Sequence, residues 1–223
     1  RQSCEELGMD ISEAVYTSGS TSTYLYITDE TGEMQLAVCD TDVADCINAD
    51  FLATKLEILN QAQAVVFDGN LTEETVDFIA QHVTVPLFAD PVSAKKSERL
   101  KKALPKLYTF KPNDIEAMYL TGEDTPEKAA RALVKLGVER VYVSCGADGM
   151  IAAEGEWLLH LSCEPSEVIN TTGGGDASMA ALVWAYTQGL SLEQSARAAL
   201  KAGAITVGAE ETIAPGLSPE KLR

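Results

Sequence analysis

Short apolar stretches alternate through the middle of this chain with helical stretches of about ten residues, and that alternation constrains the fold more than any other feature. Residues 64–67, 85–89, 107–110 and 140–144 read as buried strands. Residues 51–60, 72–81, 97–104, 113–120 and 125–136 read as the helices around them. Thr72 and Asn113 stand where N-caps belong, and Pro126 falls in a first turn, where its missing N–H costs nothing. Strands and helices in this order form βαβ units. The fold class is therefore α/β, with a mainly parallel sheet, right-handed crossovers and helices on both faces.

The flanks differ. Residues 23–28 (TYLYIT) alternate like a half-exposed strand, residues 29–32 read as a turn, and residues 33–39 as the returning strand of a hairpin. Residues 150–153 and 157–161 form a second hairpin around Glu154-Gly155-Glu156, and residues 177–188 and 192–207 are Ala-rich helices. No repeat, low-complexity run or linker interrupts the 223 residues, so one domain with a small hairpin appendage is expected. Residues 1–7 lack a starting Met and read as the middle of an amphipathic helix, so an N-terminal part is expected to be missing.

Charge excludes several functions. With 34 acidic against 17 basic residues, a net charge of −17 repels nucleic acid and anionic membranes. An anionic substrate would need a local positive pocket. No apolar run reaches the roughly 20 residues that span a bilayer. Five widely spaced cysteines without a C-x-x-C pair argue against a zinc site or disulfide framework and for a reducing, cytoplasmic setting. The two histidines, His82 and His160, are too far apart to suggest a metal site.

In parallel sheets ligands sit at the carboxyl ends of the strands, so the loops there hold the candidate chemistry. The strongest is Asn170-Thr171-Thr172-Gly173-Gly174-Gly175-Asp176-Ala177, three glycines directly before a long helix. Glycine lets an incoming group approach the backbone, and helix N-termini present unpaired N–H groups that favour an anion. A transferring phosphoryl group is such an anion, and Asp176 beside it can take the proton of an attacking hydroxyl. The same helix dipole should make Asp176 a weaker base. An ordinary loop with a capping Asp explains these residues about equally well. The spacing fits neither the dinucleotide nor the Walker pattern.

Two further segments matter in combination. In Lys111-Pro112-Asn113-Asp114-Ile115-Glu116, Asn113 and Glu116 share one side of a helical turn and could serve Mg²⁺ as outer-shell oxygens. A plain capping box with an exposed Glu is the simpler reading. Ser144-Cys145-Gly146-Ala147-Asp148-Gly149 follows a strand, and a tight turn explains it as well as a nucleotide contact does.

The glycine segment resembles the D-T-x-G-A-G-D motif of the PfkB family of carbohydrate and nucleoside kinases. The other two resemble that family's K-P-N-x-x-E and T-x-G-x-x-G segments, in the same order. The resemblance implies a three-layer α/β/α ribokinase-like fold over residues 1–223, N-terminally incomplete, with residues 14–40 contributing to a β lid. It implies an ATP-dependent phosphotransferase with Asp176 as catalytic base and Gly173, Gly174 and Gly175 as anion hole. Lys111, Asn113, Ser144, Gly146 and Gly149 would line the nucleotide site, and Asn113 and Glu116 would act indirectly on Mg²⁺. The family's monovalent-cation site, for K⁺, would lie near Asn170 and Thr172, although Asn170 lacks the charge of the family's Asp. The resemblance is nearest to pseudouridine kinases, through Ser22-Thr23-Tyr24, Thr31-Gly32-Glu33-Met34, Asp90-Pro91-Val92-Ser93 and Asn170. It implies a homodimer through the lid. The family's first strand, sugar-binding Asp and Gly-Gly loop are not found before position 23. The alternatives are a non-catalytic nucleotide-binding or dimerisation fragment, another sugar kinase such as a ribokinase or fructokinase, or a vitamin kinase. Vitamin kinases usually carry a Cys in the glycine loop, and this chain has none there.

Overall fold

The structure, a computed structural model, describes residues 1–28, 34–163 and 168–223. Helix α1 (Gln2–Glu6) opens the chain and buries none of its residues, so the expected amphipathic helix has no packed face. Strands β1 (Thr23–Thr28) and β2 (Met34–Asp40) pair antiparallel as a separate two-stranded ribbon, Thr23 opposite Asp40. The expected turn at 29–32, Glu33 and most of the Thr31-Gly32-Glu33-Met34 segment lie outside the described residues.

The main body follows as α2 (Ala49–Gln61), β3 (Val65–Asp68), α3 (Glu73–His82), β4 (Leu87–Asp90), α4 (Ala94–Ser97) and β5 (Leu107–Phe110). It continues through α5 (Asp114–Thr121), α6 (Pro126–Lys135), β6 (Arg140–Ser144), β7 (Met150–Glu154) and β8 (Trp157–Leu161). It ends with α7 (Gly174–Thr187), α8 (Leu192–Val207) and α9 (Pro219–Leu222). Thr72 and Asn113 are caps, as the sequence placed them. Thr72 accepts from the N–H of Thr75 and Asn113 from Glu116, and Thr125, expected as the first residue of its helix, is its cap instead and accepts from Lys128. The helix expected over 97–104 is instead broken into short pieces. Its start moves forward because Ser93 caps α4, and 3₁₀ turns at Glu98–Leu100 and Leu104–Lys106 replace the rest, the second one around Pro105, which cannot donate to a helix.

Six strands form one sheet in the order β3-β4-β5-β6-β7-β8. β3 to β6 are parallel, and β7 and β8 add antiparallel as the second hairpin. Successive side chains of a strand point to opposite faces. Leu87 and Ala89, Val141 and Val143, and Ile151 and Ala153 therefore join the core with α3, α5 and α6. Their neighbours Phe88, Tyr142, Met150 and Ala152 pack on the other face with α7 and α8. The result is the expected three-layer α/β/α arrangement, and it aligns the carboxyl ends of β3 to β6 along one edge. Among the described residues no helix is long and apolar enough to cross a membrane.

Candidate active site

Four adjacent strand ends supply one wall of the site. Asp68 and Asp90 close β3 and β4 opposite each other in register. Lys111 follows β5 directly and ties its N–H to the carbonyl of Ala89, 3.1 Å away. Ser144 closes β6, receives a bridge to Asn113 and donates its N–H to Pro112 O at 3.0 Å. The segments around Lys111 and Ser144, far apart in sequence, thus lie side by side.

The opposite wall is the first turn of α7. Gly173 is its N-cap at φ 91°, a left-handed conformation that side chains disfavour, and a Cβ there would lie 2.2 Å from Thr212 O. The helix begins at Gly174, three residues before the start expected from the sequence, so Gly174, Gly175 and Asp176 are its first turn. A first turn has N–H groups without intrahelical acceptors, and no side chain caps this one. The three glycines do different things. Gly174 is buried, a Cβ there meeting Val207 at 2.8 Å, whereas Gly175 is exposed and its Cβ position is 3.6 Å from Lys111 Nζ. Asn170 holds the loop from behind: its Oδ1 accepts the Thr172 N–H at 2.9 Å and its Nδ2 donates to Glu210 O at 3.1 Å.

Electrostatics join the two walls. Lys111 is 3% exposed, and its ammonium pairs with Asp90 Oδ2 at 2.8 Å. Asp176 as a residue is exposed, but protein packed against its carboxyl removes part of its hydration. That desolvation pushes its pKa above the ordinary Asp value, helped by the charges of Asp90 and Asp68 and opposed by Lys111. The weaker base expected from the helix dipole is thereby corrected, because desolvation and the carboxylates raise its proton affinity. Asp68, Asp90 and Asp176 open together onto a cavity of about 710 Å³ whose other walls include Met179 and Val183, a size suited to a small-molecule ligand. Reading motifs one at a time had not drawn Asp68 and Asp90 into the site. Their position as the last residues of two parallel strands was the signal available.

The remaining residues have mixed settings. Asn113 and Glu116 form the capping box: Asn113 Oδ1 accepts the Glu116 N–H at 2.7 Å and Glu116 Oε2 accepts the Asn113 N–H at 2.8 Å. Glu116 is buried, however, where a simple capping residue would be exposed, and desolvation pushes its pKa up. Gly149 sits at φ 94°, with its Cβ position 2.0 Å from Leu161 O, so the hairpin turn by itself demands glycine. Cys145 faces a second cavity with Asp114, Glu127 and Asp148. Burial, helped by those three acids, pushes its thiol up to about 11, which keeps it protonated and a poor nucleophile. Among the described residues no three His, Cys, Asp or Glu side chains are grouped to hold a metal ion.

This arrangement has relatives. The model of the pfkB family of carbohydrate kinases matches residues 1–219. Pseudouridine kinase of Escherichia coli (strain K12) is 34% identical over 209 residues, covering 89% of this chain and 66% of that protein. An uncharacterized sugar kinase of the same organism, YeiI, is 29% identical, over 96% of this chain and 61% of its own length. The chain thus spans less than two thirds of either curated relative. Among solved structures, ribokinase from Thermotoga maritima superposes on 99% of this chain and 74% of its own with a TM-score of 0.86 at 22% identity, a likeness of fold.

Proposed function

Because the chain belongs to the pfkB family of carbohydrate kinases, we propose that it carries the nucleotide-binding and phosphoryl-transfer part of an ATP-dependent kinase. The acceptor is a primary hydroxyl of a nucleoside or sugar, with pseudouridine, converted to its 5'-phosphate, the first choice because of the relative at 34% identity. One observation carries the reading: an uncapped helix N-terminus faces a buried lysine across Gly175, and Asp176 stands on the same turn beside a cavity.

The chemistry follows from that placement. The acceptor lies in the cavity, where Asp68 can take hydrogen bonds from its other hydroxyls. Its reacting oxygen attacks the γ-phosphorus of ATP, the bond from that phosphorus to the β,γ-bridging oxygen breaks, and ADP leaves. Asp176 takes the hydroxyl proton and later releases it to solvent. The N–H groups of the α7 first turn and Lys111 hold the charge on the transferring group, which costs little reorganisation because both are already fixed. Magnesium would neutralise phosphate charge, with Asn113 and Glu116 suited to its outer shell and the phosphates and water supplying most ligands. Gly146 and Ser144 would face the nucleotide. Asn170 and Thr172 would lie near a potassium ion, if one is used. Residues 1–223 act as one kinase unit with residues 14–40 as lid, and the reduced cysteines fit a cytoplasmic setting.

A second reading, a nucleotide-binding or dimerisation module without turnover, draws on the chain covering 66% of its pseudouridine kinase relative. The discriminating experiment is ADP release from Mg·ATP with pseudouridine, uridine, adenosine, ribose and fructose in turn. Acceptor-dependent release supports the kinase. Calorimetric ATP binding with no release under any acceptor supports the module.

A further inference from the structure

Asp90 has both carboxylate oxygens committed. Oδ2 pairs with Lys111 Nζ at 2.8 Å, and Oδ1 accepts the N–H of Val92 at 2.9 Å. Val92 is the one non-glycine with positive φ among the described residues, at 66°. A β-branched side chain avoids that conformation, and departures of this kind persist where surrounding structure imposes them, often at functional sites. The turn at Val92 closes on itself, the Ser93 N–H donating to Pro91 O at 2.7 Å, and its backbone packs hard against the end of β3, where Pro91 O sits 2.4 Å from where Gly69 would carry a Cβ. Lys111, for its part, has a single ion-pair partner among the described residues, and its buried ammonium lies 3.6 Å from the Cβ position of Gly175. A lysine ammonium keeps one orientation only where a fixed anion holds it, and the strained loop fixes the anion.

We propose that Asp90 is a positioning residue, which rests on the kinase reading: anchored by the Val92 turn, it clamps Lys111 so that the ammonium faces the phosphoryl group held at the first turn of α7. Asp90 itself need not touch the nucleotide. It acts through Lys111, and the two should behave as one unit.

A double-mutant cycle on the full chain tests this, with Asp90→Asn, Lys111→Met and the double variant. Thermal melting and calorimetric Mg·ATP binding are read for each. Removing one partner leaves the other buried and unpaired, so each single variant should melt lower and the double variant should recover much of the loss. Binding should weaken at least tenfold in each single variant, and the double variant should be no weaker than Lys111→Met alone. Asp90→Glu should return part of the affinity. Losses that multiply in the double variant would overturn action through Lys111. Recovery of both melting and wild-type affinity in the double variant would show a purely structural ion pair and would also overturn the proposal. Because binding is read directly, the expected cycle in a chain that transfers phosphate to no acceptor would support the clamp while refuting the kinase reading.

Discussion

A carboxylate works as a base only where it is ionised, and Asp176 ionises at higher pH than an ordinary Asp because desolvation and the charges of Asp90 and Asp68 favour its proton. The base is lost as pH falls through that raised value. The acid limb of the kcat profile should therefore lie above the usual carboxylate range. A limb at the ordinary Asp position would show that Asp176 is solvated and not the titrating base. The sign for stability is opposite to that of a paired carboxylate. A group whose native pKa is raised favours folding while protonated and loses that contribution as pH rises through its native value. Asp176→Asn should then melt no lower than wild type at neutral pH. At this scale the place of Asp176 at a helix N-terminus was legible from three glycines and a helix start, since both signals are local. Its raised pKa was not, because the groups that set it arrive from β3 and β4.

The first turn of α7 separates two uses of glycine that look alike in the sequence. Gly173 serves the backbone, and Gly173→Ala should cost about 1–3 kcal/mol by forcing a side chain into positive φ against Thr212 O. Gly175 has no such backbone demand, because a Cβ there meets only Lys111 Nζ at 3.6 Å, and the kinase reading gives it to the ligand. Gly175→Val should leave the melting temperature nearly unchanged and raise the Kd for Mg·ATP tenfold or more, as measured by calorimetry. The reverse pattern would mean that the loop is structural only. Gly174, buried against Val207, cannot separate the two effects. Elements with a local punctuation mark were read well: the helices marked by Thr72, Asn113 and Pro126 lie where those residues put them. Residues 94–106 were misread because Ser93 and Pro105 had been overlooked as a start and a stop. Asp68 and Asp90 were missed because strand register, which sets them beside each other, is a non-local property.

Across the whole molecule, the parallel core was legible because apolar runs of four or five residues with helices between them have few other ways to hide their backbones. The ribbon of β1 and β2 is a different case. It lies outside the main sheet, and Leu25, Ile27, Leu36 and Val38 on one of its faces are 67%, 62%, 57% and 63% exposed. An isolated two-stranded ribbon is marginal in water, and an apolar face of this kind calls for a cover. A second copy of the ribbon would supply it. We predict that the chain is a dimer by light scattering and that Leu25→Asp shifts it to monomer. A monomeric wild type at tens of micromolar would contradict dimerisation through the lid.

The most direct test of Asp176 as base is phosphoryl transfer from Mg·ATP to the best acceptor, compared between wild type and Asp176→Asn, with ATP affinity measured in parallel. A base that acts in the transition state predicts a kcat lower by roughly a thousandfold, with ATP affinity near normal. Unchanged turnover in the variant would contradict the account.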